Sequence, residues 1–466
     1  MPKAKTTNDA IAIVGLGYVG LTLGLVLAEA GLKVIGFDTN KKVLDGLREN
    51  EPHFWENGLK ELLKKHNGKN FTLAEKLAPS YGIKTYFIAV GTPLGKDGKP
   101  NLAYLKSASE MVGDFLKQGN LVISRSTVPL GTNRSLVLPI LERRSNLKAG
   151  SDFHLAFVPE RTVEGKALEE LWTLPEVIGG FTKESGEKAK AVFDNLKKPS
   201  VVVDSLEEAE MVKLLNNVYR SVVFSFADEL SLICDKWGLD TKKVIEAANA
   251  GYERSKVPLP APGVGGPCLL KDVQIFIQSG RSKGYEPGIA SEAYSVTGKT
   301  IKFIANQVRD FLKKSKKDFK QAKVFILGFA FKGVPETSDM RGSTTIPLVQ
   351  ELKKLVKNIY GYDPKVPNEH IAGLGVQAVS KLEDGFKLAD AVIFMNNHPG
   401  LKSIDLSSMI QLAHNPVFIF DAWGLHENAE FKINKQSSAP KTILAGTDYK
   451  ENLMPKKSLG VFYKRL

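Results

Sequence analysis

Cysteine is nearly missing: Cys234 and Cys268 are the only two in 466 residues, and they fall in segments of unrelated character. That argues against a disulfide framework and points to a reducing compartment such as a cytosol. Long apolar runs are missing too. The apolar stretch nearest the start, Ala10–Val14, has the length of a strand and not of a signal peptide, and no run approaches bilayer-spanning length. Clustered positive charge is scarce. The formal charge of +13 comes from basic residues dispersed beside acidic ones on helical segments, with clusters only at 313–317 and in the tail. Neither a membrane nor a nucleic acid is therefore expected as a partner, nor a metal. A positive balance of this kind suits an anionic small-molecule ligand. What remains, 43% hydrophobic and 25% charged residues, is an ordinary globular composition, long enough for two or three domains with real cores.

The first chemistry-bearing stretch follows Ala10–Val14. GLGYVGL places Gly15, Gly17 and Gly20 in the GxGxxG spacing, an Ala- and Leu-rich helical segment follows, and KVIGFD ends in Asp38. Strand, glycine turn, helix, strand and acid together form a dinucleotide-binding unit. The glycines let a pyrophosphate approach the helix N-terminus, and the acid accepts from a ribose 2′-hydroxyl. Asp38 would repel a 2′-phosphate, so NAD is expected over NADP.

The pattern then continues as strand and helix in alternation. TYFIAVGTP (85–93) breaks into a turn at Thr92, LVISRSTVPLGT (121–132) ends in Ser126 and Thr127, and HLAFVPERTVEG (154–165) carries Glu160, Arg161 and Glu164 just past its end. Alternation of this kind implies a doubly wound parallel sheet whose ligands sit at the strands' carboxyl ends, where these residues fall. Taken singly, each also suits turn or cap chemistry.

After SVVVD (200–204) the periodicity predicts one long helix over Leu206–Trp237, free of Pro and interior Gly. Its length suits a bridge between domains with an apolar side for another subunit, and Lys213 and Asn217, four apart, share a face. A second helix is expected at 241–250. The stretch PGVGGPCLLKD (262–272) comes next, with three glycines and two prolines in six residues that cannot propagate a helix or a ladder. Cys268 and Asp272 stand on one face if a helix begins there, and a helix N-terminus favours a thiolate. A small buried thiol is the plain alternative. From KVFILGFAFK (323–332) a second α/β domain opens without the GxGxxG. Gly328 and Gly333 flank Lys332, and SDMRGS (338–343) puts Arg341 near a helix start, where a phosphate would lie. The tail from 432 is polar, with strand fragments only.

In order and over nearly the whole chain, GLGYVGL, GTP, STVPLGT, VPER…E, EMVKLLNN, GVGGPCLLKD, LGFAFK and DMRGS resemble the nucleotide-sugar 6-dehydrogenase family, which includes UDP-glucose, GDP-mannose and UDP-N-acetylhexosamine dehydrogenases. The resemblance implies two Rossmann-like doubly wound domains joined by a central helical region. The expected division is 1–205 for NAD binding, 206–318 for a helical dimerisation region carrying the Cys loop, and 319–466 for a UDP-binding α/β domain and tail. It also implies a homodimer and a four-electron oxidation of a sugar C6 alcohol through a thiohemiacetal and a thioester. In that scheme Cys268 is the nucleophile, Lys213 and Asn217 polarise the oxygen, and Asp272 orients the lysine or a water. Thr127 positions the hydrolytic water and Glu160 is its base. The dinucleotide is held by Gly15, Gly17, Gly20, Asp38, Thr92, Thr127, Glu164 and Arg341. The sugar nucleotide meets Glu160, Arg161, Lys213, Asn217, Arg254, Gly265, Gly266 and Lys332, with Arg254 able to act across a dimer.

Departures from the family pattern bear on the sugar. Arg161 in PER and the PAPGVGGPC loop resemble the N-acetylhexosamine branch, although that branch often has histidine before the cysteine where this chain has Pro267, and the Lys271–Asp272 pair resembles the UDP-glucose and GDP-mannose branches. A UDP-N-acetyl-mannosamine or -glucosamine is expected, with UDP-glucose or GDP-mannose as the alternative. Two remoter readings are a two-electron hydroxyacid dehydrogenase, which needs no thiol, and a sugar-nucleotide sensor, which predicts loss of Cys268, Lys213 or Glu160.

Overall fold

A computed structural model of the chain describes residues 9–95, 97–427, 443–444 and 460–466. The chain divides into two compact units, residues 1–217 with 274–286 and residues 218–273 with 287–466.

The first unit is built on strands β1 (Ala10–Val14), β2 (Val34–Phe37), β3 (Phe71–Ala74), β4 (Ile83–Ile88), β5 (Leu121–Ser124), β6 (His154–Phe157), β7 (Glu176–Gly180) and β8 (Ser200–Val203). They lie in the order β3-β2-β1-β4-β5-β6-β7-β8. The inner strands β1, β2, β5 and β6, apolar and buried on both faces, suit a sheet covered by helices on each side. Along β1, Ile11 and Ile13 enter one core, while Ala10, Ala12 and Val14 enter the other. The strand order reverses between β1 and β4, and the crevice at that point is where such sheets bind ligands.

Two strands depart from the expected parallel set: β7 runs antiparallel to β6, and β8, parallel to β7, shares its reversed direction. The connection spends residues 158–166 in loop and makes only the seven-residue helix Ala167–Thr173 before β7 starts at Glu176. A parallel return needs a full crossover. The shape of this connection keeps Glu160 and Glu164 at the carboxyl edge.

The second unit repeats the plan with β9 (Lys323–Leu327), β10 (Asn358–Tyr362), β11 (Gln377–Ala378), β12 (Ala391–Phe394), β13 (Val417–Asp421), β14 (Ile443–Leu444) and β15 (Val461–Arg465). The order is β11-β10-β9-β12-β13-β15-β14. The likeness reaches hydrogen bonds. Gly15 at φ +97° donates to Phe37 O (2.8 Å), and Gly328 at φ +96° donates to Tyr362 O (2.9 Å). Asp38, at the end of β2, accepts from Leu16 N (2.8 Å), and Asp363, at the end of β10, accepts from Phe329 N (2.6 Å) and Ala330 N (3.0 Å). In the first unit the helix Tyr18–Glu29 starts at once after the turn. In the second, the chain runs through residues 333–344 before the helix Thr345–Lys353, and that insertion carries Arg341. Part of the polar tail is ordered as β15, parallel to β13, where Lys464 pairs with Asp235 and Arg465 with Asp240 and Glu427. Beside β15 lies β14, and the rest of the tail lies outside the described residues.

The long helix covers Leu206–Trp237, 32 residues, about 48 Å at 1.5 Å per residue. Leu214, Val218, Ala227 and Cys234 are buried, whereas Tyr219, Phe226, Ile233 and Trp237 are more than half exposed. Among the described residues no helix is long and apolar enough to cross a membrane.

Candidate active site

In the first unit the glycines and the acid expected to hold the cofactor lie at the β1 turn. A Cβ on Gly20 would stand 1.8 Å from Gly15 O, so the helix packs on the turn only with glycine there. A Cβ on Gly17 would meet no atom of the described residues within 4 Å. Open space over a helix N-terminus is the room a pyrophosphate needs. Asp38 is half-buried, its carboxylate bound to Leu16 N and Asn40 N (both 2.8 Å) with acceptor capacity to spare for a ribose. These residues fit NAD. Beside the turn, the Tyr18 hydroxyl donates to the buried Glu56, which also accepts from Gly165 N (2.7 Å) and Ala167 N (3.1 Å). Burial and the Glu56 and Glu164 carboxylates raise the Tyr18 pKa, so its hydroxyl stays protonated. Glu56 thus ties the loop carrying Glu160 and Glu164 to the dinucleotide turn.

The strand ends bring Thr92 and Thr127 together, the Thr92 hydroxyl donating to Thr127 O (2.6 Å). Glu160, 7% exposed, accepts from Arg125 through Nε (3.2 Å) and Nη2 (2.8 Å) on one oxygen and from Thr162 N (2.7 Å) on the other. Burial alone would raise its pKa, but the Arg125 guanidinium and the Thr162 amide outweigh it and hold the carboxyl down to about 2. Arg161, expected at the sugar, turns its guanidinium to Pro175 O. Glu210 on the long helix accepts from Gly131 N (2.5 Å) and Asn133 N (3.0 Å), which fixes the turn beyond Thr127. One turn on, Lys213 is half-buried, and a further turn on Asn217 is 9% exposed.

In the second unit a helix begins at Pro267, and Cys268, its second residue, is exposed. The loop before it is held from three sides. Ala261 N donates to Asp228 Oδ1 (2.8 Å), Val264 N to Thr297 Oγ1 (3.1 Å) and Gly266 N to Gly342 O (2.9 Å). Gly266 sits at φ +100°, where a Cβ would also strike the Phe331 ring at 2.9 Å. The loop therefore brings Gly265 and Gly266 against the 331–342 segment that carries Lys332 and Arg341. Asp272 is fully buried on the Cys268 helix, 3.3 Å from Lys271 Nζ. Lys332 lies over the Phe331 ring, Arg341 forks onto Asp339 (2.7 Å) with its side chain 75% exposed, and Arg254 lies over Tyr252.

Sequence reasoning missed Arg125, Glu56, Glu176 and Lys198. Arg125 did leave a signal: an arginine closing an apolar strand, two residues before Thr127, must find an anion.

Three models of the UDP-glucose/GDP-mannose dehydrogenase family match in order: its NAD binding domain on residues 9–197, its central domain on 207–297 and its UDP binding domain on 325–428. The chain is 30% identical over 411 residues to the UDP-N-acetyl-D-mannosamine dehydrogenase of Pyrococcus horikoshii, covering 88% of this chain and 94% of that one. It is 30% identical over 422 residues to the UDP-glucose 6-dehydrogenase TuaD of Bacillus subtilis, covering 88% of each. Among solved structures, a UDP-D-ManNAc dehydrogenase from Pyrococcus horikoshii matches with a TM-score of 0.80 at 28% identity, over 89% of this chain and 96% of that one.

Proposed function

The chain belongs to the UDP-glucose/GDP-mannose dehydrogenase family, and on that premise we propose that it oxidises C6 of a UDP-N-acetylhexosamine, of mannosamine or glucosamine type, to the uronic acid. The family and the NAD binding domain make it an NAD-dependent nucleotide-sugar dehydrogenase. The observation that carries the four-electron course is the placement of Cys268, exposed at a helix N-terminus behind a loop pinned at Ala261, Val264 and Gly266. A thiol so placed has its thiolate favoured and its position fixed.

NAD, when bound, accepts one hydride in each of two steps. Lys213 and Asn217 hold the C6 oxygen as the alcohol passes its proton to a water of the site and, with the first hydride lost, becomes an aldehyde. The Cys268 thiolate adds to that carbon, forming a C–S bond and a thiohemiacetal whose oxygen the same two residues stabilise. Loss of the second hydride leaves a thioester. Thr127 and Glu160 orient a water, its oxygen adds to the carbonyl, the C–S bond breaks, and the uronate leaves with the thiolate restored. Glu160 takes the water's proton and, held ionised by Arg125, releases it at once to solvent. Asp272 orients the lysine or a water. Glu164 and Thr92 line the cofactor, Arg341 faces phosphate, and Arg161, Arg254 and Lys332 surround the sugar nucleotide.

The functional regions we assign are 1–205, 206–318 and 319–466, working as a homodimer in the cytoplasm and supplying uronic acid units for a polysaccharide. The N-acetylhexosamine assignment rests on the PER and PAPGVGGPC segments and on a relative named for UDP-N-acetyl-D-mannosamine. UDP-glucose is the second reading, favoured by the lysine–aspartate pair after the cysteine and by an equally identical relative named for it. Turnover of a panel of UDP- and GDP-sugars with NAD decides between them. The N-acetylhexosamine is expected to give the highest kcat/KM, and a higher value for UDP-glucose reverses the assignment.

A further inference from the structure

Behind Glu160 lie three more buried charged side chains, all in the first unit. Arg125 closes β5, Glu176 opens β7 and Lys198 precedes β8, and none is more than 7% exposed. Every N–H of the Arg125 guanidinium has an acceptor. Nε and Nη2 donate to one oxygen of Glu160 (3.2 and 2.8 Å), Nη1 to Val158 O (3.3 Å) and Glu176 Oε2 (3.1 Å), and Nη2 also to Glu176 Oε1 (3.3 Å). Lys198 Nζ completes the set on Glu176 Oε1 (2.9 Å). Phe193 covers the guanidinium at 5.6 Å. Two cations and two anions make the cluster neutral, which a dry interior requires.

The geometry is directional. Glu160 occupies only one edge of the guanidinium, and Glu176 occupies the other. Without Glu176, the fork could turn about its own axis and carry Glu160 with it. Lys198 in turn fixes Glu176. We propose that Glu176 and Lys198 are positioning residues for thioester hydrolysis, acting through Arg125 to aim the Glu160 carboxylate at the attacking water. This rests on the hydrolytic role assigned to Glu160 above. Arg125 also stands two residues before Thr127, so one clamp sets both groups that meet the water. Misplacing a reacting group by about 1 Å costs up to a hundredfold in rate.

The test measures, by intact-protein mass spectrometry, the fraction of enzyme carrying a covalent adduct on Cys268 during steady-state turnover. Slower hydrolysis raises that fraction, whereas general damage slows every step and does not. Glu176→Gln is expected to raise the adduct fraction and lower kcat by about tenfold. Glu176→Gln with Lys198→Met, which restores neutrality, is expected to recover part of the loss, since coupled residues are not additive. Arg125→Lys, which keeps the charge but loses the fork, is the second variant should Glu176→Gln fail to fold, and is likewise expected to accumulate adduct. Glu160→Gln is the reference. If it accumulates adduct while Glu176→Gln, or Arg125→Lys in its place, stays at the wild-type fraction, the positioning role is overturned. If Glu160→Gln itself accumulates none, the hydrolytic assignment of Glu160 falls instead.

Discussion

Glu160 and Asp228 are both buried carboxyls, and their surroundings push them in opposite directions. Glu160 is held down to about 2, mainly against its own burial, by Arg125 and the Thr162 amide. It is therefore ionised at every working pH, and its contribution to stability is present above its ordinary 4.5 and lost as pH falls towards about 2. The thioester hydrolysis rate should accordingly show no acid limb from this group above about pH 4, and a limb centred near pH 6 would assign the proton acceptor elsewhere. Asp228 has burial with only the Ala261 amide to offset it, and its carboxyl is pushed up from 3.8 to about 8. Folding then takes up a proton between those values, so this side chain favours the folded state most at low pH and loses that advantage as pH rises through the window. Among the described residues its second oxygen has no hydrogen-bond partner. Asp228→Asn keeps the acceptor for Ala261 and carries no such proton, so it should stabilise the protein by at least about 1 kcal/mol at pH 8 and much less at pH 5. Urea unfolding at the two pH values checks this, and equal effects at both would contradict it. Such residues were not legible in the sequence. Asp228 reads as one more polar residue on a helix, and Glu176 as the polar start of a strand; only the fold shows what surrounds them.

At the scale of elements, the glycine turn makes a prediction in two halves. Gly20→Ala puts its Cβ into Gly15 O and should destabilise the first unit. Gly17→Ala meets nothing within 4 Å among the described residues, so it should fold with an unchanged Tm yet bind NADH at least about tenfold more weakly, because the Cβ fills the pyrophosphate's room. Normal binding by Gly17→Ala in a fluorescence titration would remove the cofactor site from this turn. The long helix makes another. Tyr219, Phe226 and Ile233 recur every seven residues with Trp237 beyond them, all more than half exposed, the spacing that the proposed dimer would use as its seam. Phe226→Glu with Ile233→Glu should turn a dimer into a monomer by light scattering, and a wild-type monomer would end the dimer assignment. Elements with a strong period were readable: Leu206–Trp237 and Ala10–Val14 stand where the sequence places them. The second dinucleotide-like turn was not, because Ala330 replaces the middle glycine of GFAFKG and the helix starts only at Thr345. The reversal of β7 was hidden as well, since strand direction depends on where a connection spends its residues and not on the strand's own composition.

Across the whole molecule, the same β-turn-acid scaffold is used twice, once with an open glycine turn for a dinucleotide and once with an insertion that packs Gly342 on the cysteine loop. The reaction assigned to the chain needs both, and its centre is the thiol. A serine at 268 has a far higher pKa than a thiol, captures an aldehyde poorly and yields an ester that is harder to turn over. The most direct measurement is therefore made on Cys268→Ser with NAD and the preferred UDP-sugar, following NADH and uronic acid together. Wild-type protein should release two NADH per uronate. For Cys268→Ser the account predicts retained binding of NAD and the UDP-sugar, with uronate formation lower by at least about a thousandfold. A Cys268→Ser protein that still makes uronate with two NADH per sugar at near the wild-type rate would contradict the thioester route.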